Sequence, residues 1–292
     1  MPRNLEQELK DVEQIGKEAK ERALLLQEFA SYEGEDRVVS IEEISKHLES
    51  QPKDNFKALS GIPALDDIIG GFRPGNLITI SAPTKNGKTT LCQTFTTGFS
   101  DNGIRSLWFS FEVPYQEFVD AFPKDKLPIT FLPLRLRKDP KRKLEWIETR
   151  ILEAIAKYDI KIVFIDHLHY ILGLDDISEN VSFLVGAIMR ELKRIAVENG
   201  IIIFLVAHTK KALQYEVPTT EDIRDSSFIS QESDIVLMMW RLRDKKTKEY
   251  LPEARLAVRE HRRTGQVGTI GLLHSMINKQ FYEKAYQPND SE

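Results

Sequence analysis

The run Leu77-Ile78-Thr79-Ile80-Ser81-Ala82-Pro83-Thr84-Lys85-Asn86-Gly87-Lys88-Thr89-Thr90 carries the clearest chemistry in this chain. A short β-prone apolar stretch enters a compact loop closed by Gly-Lys-Thr, and a helix-forming segment follows. Loop N–H groups and a helix N-terminus offer donors and positive dipole to a polyphosphate. Ala82, Pro83, Thr84, Lys85, Asn86, Gly87, Lys88, Thr89 and Thr90 are therefore candidate nucleotide-binding residues. In such a loop Lys88 reaches the β/γ-phosphates and the Thr89 hydroxyl ligates Mg²⁺. Ala82 stands where the usual first glycine would, so a strict G-x-x-x-x-G-K-[ST] pattern misses the site.

Three residues further along can complete such a site. Ile162-Val163-Phe164-Ile165-Asp166 reads as a buried strand ending in a carboxylate, placed to hold Mg²⁺ through water. Glu112 follows the strand-like run Leu107–Phe111, where a carboxylate can polarise the water that attacks a γ-phosphate, although Glu after a strand is common. His208 lies just past the apolar run Ile201–Val206, where a neutral donor can contact the γ-phosphate, although a lone histidine at a strand end is more often structural. The six histidines show no metal-ligand spacing, and a Ser-His-Asp hydrolase would need a nucleophile elbow that is absent.

The elements that must position these residues alternate. Strands are expected at 77–81, 105–111, 128–132, 161–166, 201–206 and 234–240, and helices at 88–100, 114–121, 141–157 and 180–198. Near-continuous apolar runs such as Ile201–Val206 fit strands of a parallel sheet buried on both faces. Residues 254–260, 267–274 and 279–284 read as a β-rich closing section. Upstream, 3–33 is a polar helix with one stripe through Leu5, Leu9, Val12, Ile15, Ala19, Ala23 and Leu26. It either packs on its own domain or docks on a partner. Ser40 with Glu43 reads as a capping box opening a short helix to about Leu48, and the polar linker 51–55 marks a domain boundary. This gives a helical extension over 1–55, an ATPase domain over 56–286 and a tail over 287–292.

With 292 residues, 41% of them apolar, the chain can hold one large α/β domain plus a smaller element. The net charge of −4 argues against a generally basic nucleic-acid coat but allows a local basic track. A single cysteine, Cys92, excludes a disulfide framework and a thiolate metal cluster. No apolar run approaches the ~20 residues of a membrane span. The expectation is a soluble cytoplasmic protein without membrane partners.

Taken in order, these motifs resemble the RecA-like motor domain of hexameric replicative helicases of the DnaB and Twinkle type, from about Leu59 to Tyr282. Gly61-Ile62-Pro63-Ala64-Leu65-Asp66 and Gly70-Gly71-Phe72-Arg73-Pro74-Gly75 look like the segment leading into its first strand, and the family tends to carry alanine where Ala82 stands. The resemblance implies a P-loop NTPase fold, with a mainly parallel sheet and a β-rich end, that uses ATP and Mg²⁺. Phe109–Pro114 resembles the stretch bearing the family's catalytic glutamate, which makes Glu112 the base, and His208 falls where members sense the γ-phosphate. Ile223–Asp234 resembles the loop that lines the family's central channel, which implies that Arg224, Asp225, Ser226 and Ser227 grip single-stranded DNA. Arginine with small polar residues also suits phosphates rather than base edges. His261–Gly268 resembles the arginine-finger segment, with Arg263 reaching a neighbouring subunit's ATP; His261 stands where the family carries lysine, and Arg262 can substitute as a second cation. Without the resemblance, Arg262 and Arg263 belong to a solvated stretch, 241–263, with nine Lys/Arg against four acids.

The resemblance implies a homo-oligomer, a hexameric ring translocating on single-stranded DNA and unwinding duplex, with primase or polymerase as replication partners, in the cytoplasm or in a viral replication complex in a host cytoplasm. Two rivals stay open: a RecA- or KaiC-like ATPase of recombination or regulation, and a nucleotide-gated single-stranded-DNA-binding accessory that does not unwind. The family's usual N-terminal helical or primase-like domain has only about 55 residues of counterpart here.

Overall fold

The structure is a computed structural model that describes residues 5–34, 37–50, 56–111, 113–131, 140–172, 181–209, 217–223, 226–244 and 246–284. It divides into two compact units, Met1–Asn55 and Phe56–Glu292.

The first unit holds two helices, α1 (Leu5–Ala30) and α2 (Ile41–Ser50). Ser40 Oγ accepts from the Glu43 N–H at 3.1 Å, one half of the expected capping box. Ile15 and Leu26 of the stripe on α1 are exposed, as are Leu24 and Phe29 outside it and Ile41 and Leu48 on α2.

The second unit is a nine-stranded sheet with helices on both faces. Its elements are α3 (Pro63–Ile69), β1 (Leu77–Ala82), α4 (Lys88–Asp101), β2 (Ser106–Ser110), α5 (Tyr115–Val119), β3 (Ile129–Phe131), α6 (Pro140–Tyr158) and β4 (Ile162–Asp166). There follow α7 (Leu168–Leu172), α8 (Val181–Glu198), β5 (Ile202–His208), α9 (Ser226–Glu232), β6 (Ile235–Arg243), β7 (Tyr250–His261), β8 (Gly268–Ser275) and β9 (Gln280–Glu283). The order across the sheet is β3-β2-β4-β5-β1-β6-β7-β8-β9. The pairs from β3 through β6 are parallel, and β6 to β9 are antiparallel. The parallel strands β1, β2 and β4 are buried at every position, which explains their unbroken apolar runs.

Alternation splits the core. One face packs Ile78, Ile80, Trp108, Phe164 and Phe204 against Phe95 and Phe99 of α4. The other packs Leu77, Leu107, Val163 and Leu205 against α6 and α8 through Ile151, Met189 and Leu192. The antiparallel end also secures α4: Phe281 N–H donates to Thr94 Oγ1 at 3.0 Å and Gln280 Nε2 to Thr97 Oγ1 at 2.8 Å.

Two sequence expectations need correction. The segment 226–232, read as part of a loop, is the helix α9. It forms because Ile229 is buried and Phe228 packs on α8 at Gly186, where a Cβ would come within 2.6 Å of the phenyl ring. His208 is the last residue of β5 rather than a residue past its end, because pairing with β1 continues as far as Ala82↔His208. The short helices α3, α7 and α9 are additions to the expected set.

Candidate nucleotide site

The C-terminal ends of β1, β2, β4 and β5 meet at one edge of the sheet, where an open α/β sheet places its ligands. Gly87 caps α4 with φ 92°, a left-handed conformation open to glycine at no steric cost. A Cβ there would also come within 2.9 Å of the Phe281 ring, so loop and β9 approach closely only through glycine. Asn86 ties the loop to the antiparallel end. Its Oδ1 accepts from Arg241 N–H at 2.8 Å, and its Nδ2 donates to Thr84 O at 3.0 Å and Tyr250 Oη at 3.3 Å. Asn86 therefore shapes the loop from a buried position, while Thr84 and Lys85 are exposed and Pro83 and Thr90 half-buried.

Within this cradle Lys88 is 7% exposed, and its Nζ donates to the Ala82 carbonyl at 2.9 Å. The ammonium is thus held over the loop at the first turn of α4. Thr89 Oγ1 donates to Asp166 Oδ2 at 2.7 Å, joining the helix that opens the loop to the end of β4. Asp166 is 2% exposed. Beneath them Cys92 is fully buried; burial pushes its thiol pKa well above the ordinary range, and the Asp166 carboxylate adds to the rise while Lys88 opposes it. That thiol is inert packing.

His208 lies beside this cluster, its ring 4.2 Å from that of His167 in an edge-on arrangement. Glu112 lies outside the described residues; the residue before it, Phe111, donates its N–H to the Asp166 carbonyl at 3.1 Å. Arg224 and Asp225 also lie outside the described residues, and of Ser226 and Ser227 only the backbone is described, at the start of α9.

The finger segment sits elsewhere on the sheet. His261 ends β7 and is 5% exposed, with Nδ1 2.6 Å from Thr264 Oγ1. Burial, then the Arg263 charge, lowers its pKa, with Asp234 opposing. Arg263 is exposed, and its Nη2 donates to Ile69 O at 3.1 Å, at the C-terminal end of α3. Arg262 N–H donates to Asp234 O at 2.8 Å, and its guanidinium donates to Gln231 O in α9.

Sequence reasoning missed the junction at Asp234. Its Oδ2 accepts from Leu77 N–H at 2.7 Å and Lys193 Nζ at 2.6 Å, so β1, α8 and the end of α9 share one carboxylate. Thr79 Oγ1 and Ser233 Oγ, 2.8 Å apart, repeat the link one step along β1. A Ser-Asp pair before an apolar run is too common to announce such a role from sequence.

Comparison with known proteins places the fold and the family. Solved structures share the fold: a DnaB-like replicative helicase, described with its interactions with primase, has a TM-score of 0.66 at 19% identity, covering 95% of this chain and 75% of its own. A separately solved ATPase domain gives 0.68 at 19% identity, covering 85% of this chain and 99% of its own. Among curated relatives, the replicative DNA helicase DnaB of Treponema pallidum is 26% identical over 239 residues, 73% of this chain and 53% of the relative. That of Mycoplasma pneumoniae is 26% identical over 221 residues, 63% of this chain and 46% of the relative. The chain thus spans about half the length of these relatives. The family profile for the DnaB-like helicase C terminal domain matches residues 123–283, more than half of the chain, and with the RecA-like sheet and the Thr89–Asp166 cradle already in view, the chain belongs to that family.

Proposed function

We propose that this chain is the motor unit of an ATP-driven ring helicase that moves along single-stranded DNA. The observation that carries the reading is the Thr89–Asp166 hydrogen bond beside a buried Lys88, on a chain of the DnaB-like family. The oxygens of Thr89 and Asp166 are hard donors suited to Mg²⁺, and Lys88 supplies a charge that matches phosphate. Mg²⁺ bound with ATP would neutralise phosphoryl charge there.

Each residue then has a task. Lys88 and the N–H groups at the start of α4 bind and orient the phosphates. Thr89 and Asp166 hold the cation. Glu112 takes the proton of the attacking water, and His208 contacts the γ-phosphate. Arg263 of a neighbouring subunit stabilises developing charge, so a lone subunit is nearly inactive. Arg224, Asp225, Ser226 and Ser227 hold DNA phosphates near the start of α9, and phosphate release shifts that segment. The chain works as a hexameric ring in a cytoplasmic or host-cytoplasmic replication complex, with primase or polymerase as partner. Among the described residues no helix is long and apolar enough to cross a membrane.

The test measures ATP turnover with and without single-stranded DNA alongside displacement of a forked duplex. DNA-stimulated turnover with displacement is expected. Stimulated turnover without displacement would assign the accessory role, and turnover indifferent to DNA would overturn the motor reading.

A further inference from the structure

Ser110 closes β2 beside the Thr89–Asp166 pair. It is 3% exposed, and its Oγ is fully buried with no hydrogen-bond partner among the described residues. A buried hydroxyl without a partner is costly, and such groups in folded proteins call for an explanation.

Its position supplies one. In the parallel pairing of β2 with β4, Ser110 lies directly opposite Asp166. Trp108 and Phe164, two residues earlier on each strand, stack at 4.7 Å on the face that meets α4. Alternation therefore puts Ser110 and Asp166 on that same face, on strands about 4.8 Å apart. Thr89, which bonds Asp166, comes from α4 on that face. Three oxygen-bearing side chains thus converge at one strand end. Ser81 offers a contrast: its Oγ is also buried without a partner, but it shares a face of β1 with Thr79, which bonds Ser233 beyond α9.

We infer that Ser110 positions the divalent cation of the nucleotide site, its hydroxyl bonding to water in the cation's outer sphere beside Asp166. The inference rests on the proposed nucleotide site. Mg²⁺ usually keeps several waters when only one or two protein ligands reach it, and those waters need acceptors and donors on the far side. A hydroxyl serves as both. Groups of this kind commonly change metal affinity 10–100-fold when removed.

The experiment titrates Mn²⁺, followed by its electron paramagnetic resonance signal, into the full chain with ADP present. It compares wild type with Ser110→Ala, Ser110→Thr and Ser81→Ala. Ser110→Ala is expected to weaken Mn²⁺ binding about tenfold, Ser110→Thr to retain most of it, and Ser81→Ala to leave it unchanged. ADP binding in EDTA should be the same in all four. Thermal unfolding gives a second readout: without nucleotide, Ser110→Ala should melt no lower than wild type, since no bond is lost, yet gain less from Mg²⁺ added to ADP. Mn²⁺ affinity of Ser110→Ala within twofold of wild type would overturn the inference, as would equal losses at Ser110 and Ser81. If wild type itself bound ADP without any divalent-cation dependence, the nucleotide-site reading would be what failed.

Discussion

The loop cradle and the finger turn occupy the same sheet but are built on opposite plans. Lys88 and Asp166 are buried, and Lys88, Thr89 and Asp166 are hydrogen-bonded inside one chain, to Ala82 O or to each other. Arg263 is exposed, and its recorded side-chain bond is to a carbonyl at the end of α3 in its own chain. Beneath it, however, the turn is firmly set: Arg262 N–H bonds Asp234 O, and Gly265 N–H bonds His261 O at 2.8 Å. A fixed base carrying a long, solvated cation suits a group that acts outside its own subunit. On the proposed reading the difference teaches that ground-state binding would be assembled within the fold, while Arg263, bonded in its own chain to the Ile69 carbonyl, would answer transition-state charge in a neighbour.

The largest effect should come from breaking the cradle. Lys88→Ala is expected to reduce ATP turnover to background together with nucleotide binding. Glu112→Gln should keep ATP binding and lose about 10²–10⁴ in rate, as removal of a general base does. Binding of a fluorescent ATP analogue beside phosphate release separates the two. A Glu112→Gln variant turning over near the wild-type rate would remove that residue from the mechanism.

The finger is tested by mixing. Arg263→Ala alone should lose about 10³-fold in turnover, the low end for such arginines, with nucleotide affinity little changed. Arg263→Ala subunits mixed with Lys88→Ala subunits should regain part of the activity, since some interfaces then pair an intact loop with an intact finger. Absence of rescue under conditions of subunit exchange would place Arg263 in its own chain's affairs, alongside Ile69.

A smaller effect concerns the segment between the two regions. Arg224→Ala should weaken single-stranded DNA binding similarly for all sequences and lower its salt slope by about one, with basal turnover retained. Fluorescence anisotropy at several salt concentrations measures both. A change in sequence preference would show that Arg224 reads bases instead.

The two regions also differed in how far the sequence disclosed them. Lys88, Thr89 and Asp166 were legible because their signals are local: a Gly-Lys-Thr turn after a buried strand, and a carboxylate ending another apolar run. The long strands and the helices α4, α6 and α8 were legible for the same reason, since period and length agree. Helix α9 was not, because Ser-Ser-Phe-Ile-Ser-Gln-Glu has the composition of a loop and becomes helical through Phe228 lodging at Gly186. Helix α3 is marked in the sequence by Pro63 at its first turn and Gly70 at its end, where the chain takes the left-handed conformation, but at seven residues it is too short for periodicity to announce it. The Asp234 junction and the unpartnered Ser110 depend on which strands become neighbours, and no local pattern encodes that.

The smallest expected effect sharpens the finger's side of the comparison. His261 stands where the resemblance puts a lysine, and its environment keeps it neutral rather than cationic. Its Nδ1 lies 2.6 Å from Thr264 Oγ1, which also accepts from Gln266 N–H at 3.2 Å. A second ring proton would put charge into a buried site beside the Arg263 guanidinium, so burial first and Arg263 second lower the pKa, against the opposing Asp234. The sign follows: above the ordinary value of 6.5 both folded and unfolded chains carry the neutral ring. As pH falls below 6.5 the unfolded chain takes the proton first, so the stability associated with a neutral His261 is lost as pH falls towards its lowered native pKa. His274 is displaced in the same direction, by burial and then by Arg241, and contributes alike. Denaturant unfolding of wild type, His261→Gln, His274→Gln and the double variant at pH 7.5 and 5.5 should therefore show a smaller loss of stability in each single variant, and the smallest in the double. Glutamine keeps an acceptor for Thr264 without a titrating group. If His261→Gln lost as much stability as wild type, His261 would already share the unfolded-state pKa, and burial beside Arg263 would not be what sets its protonation.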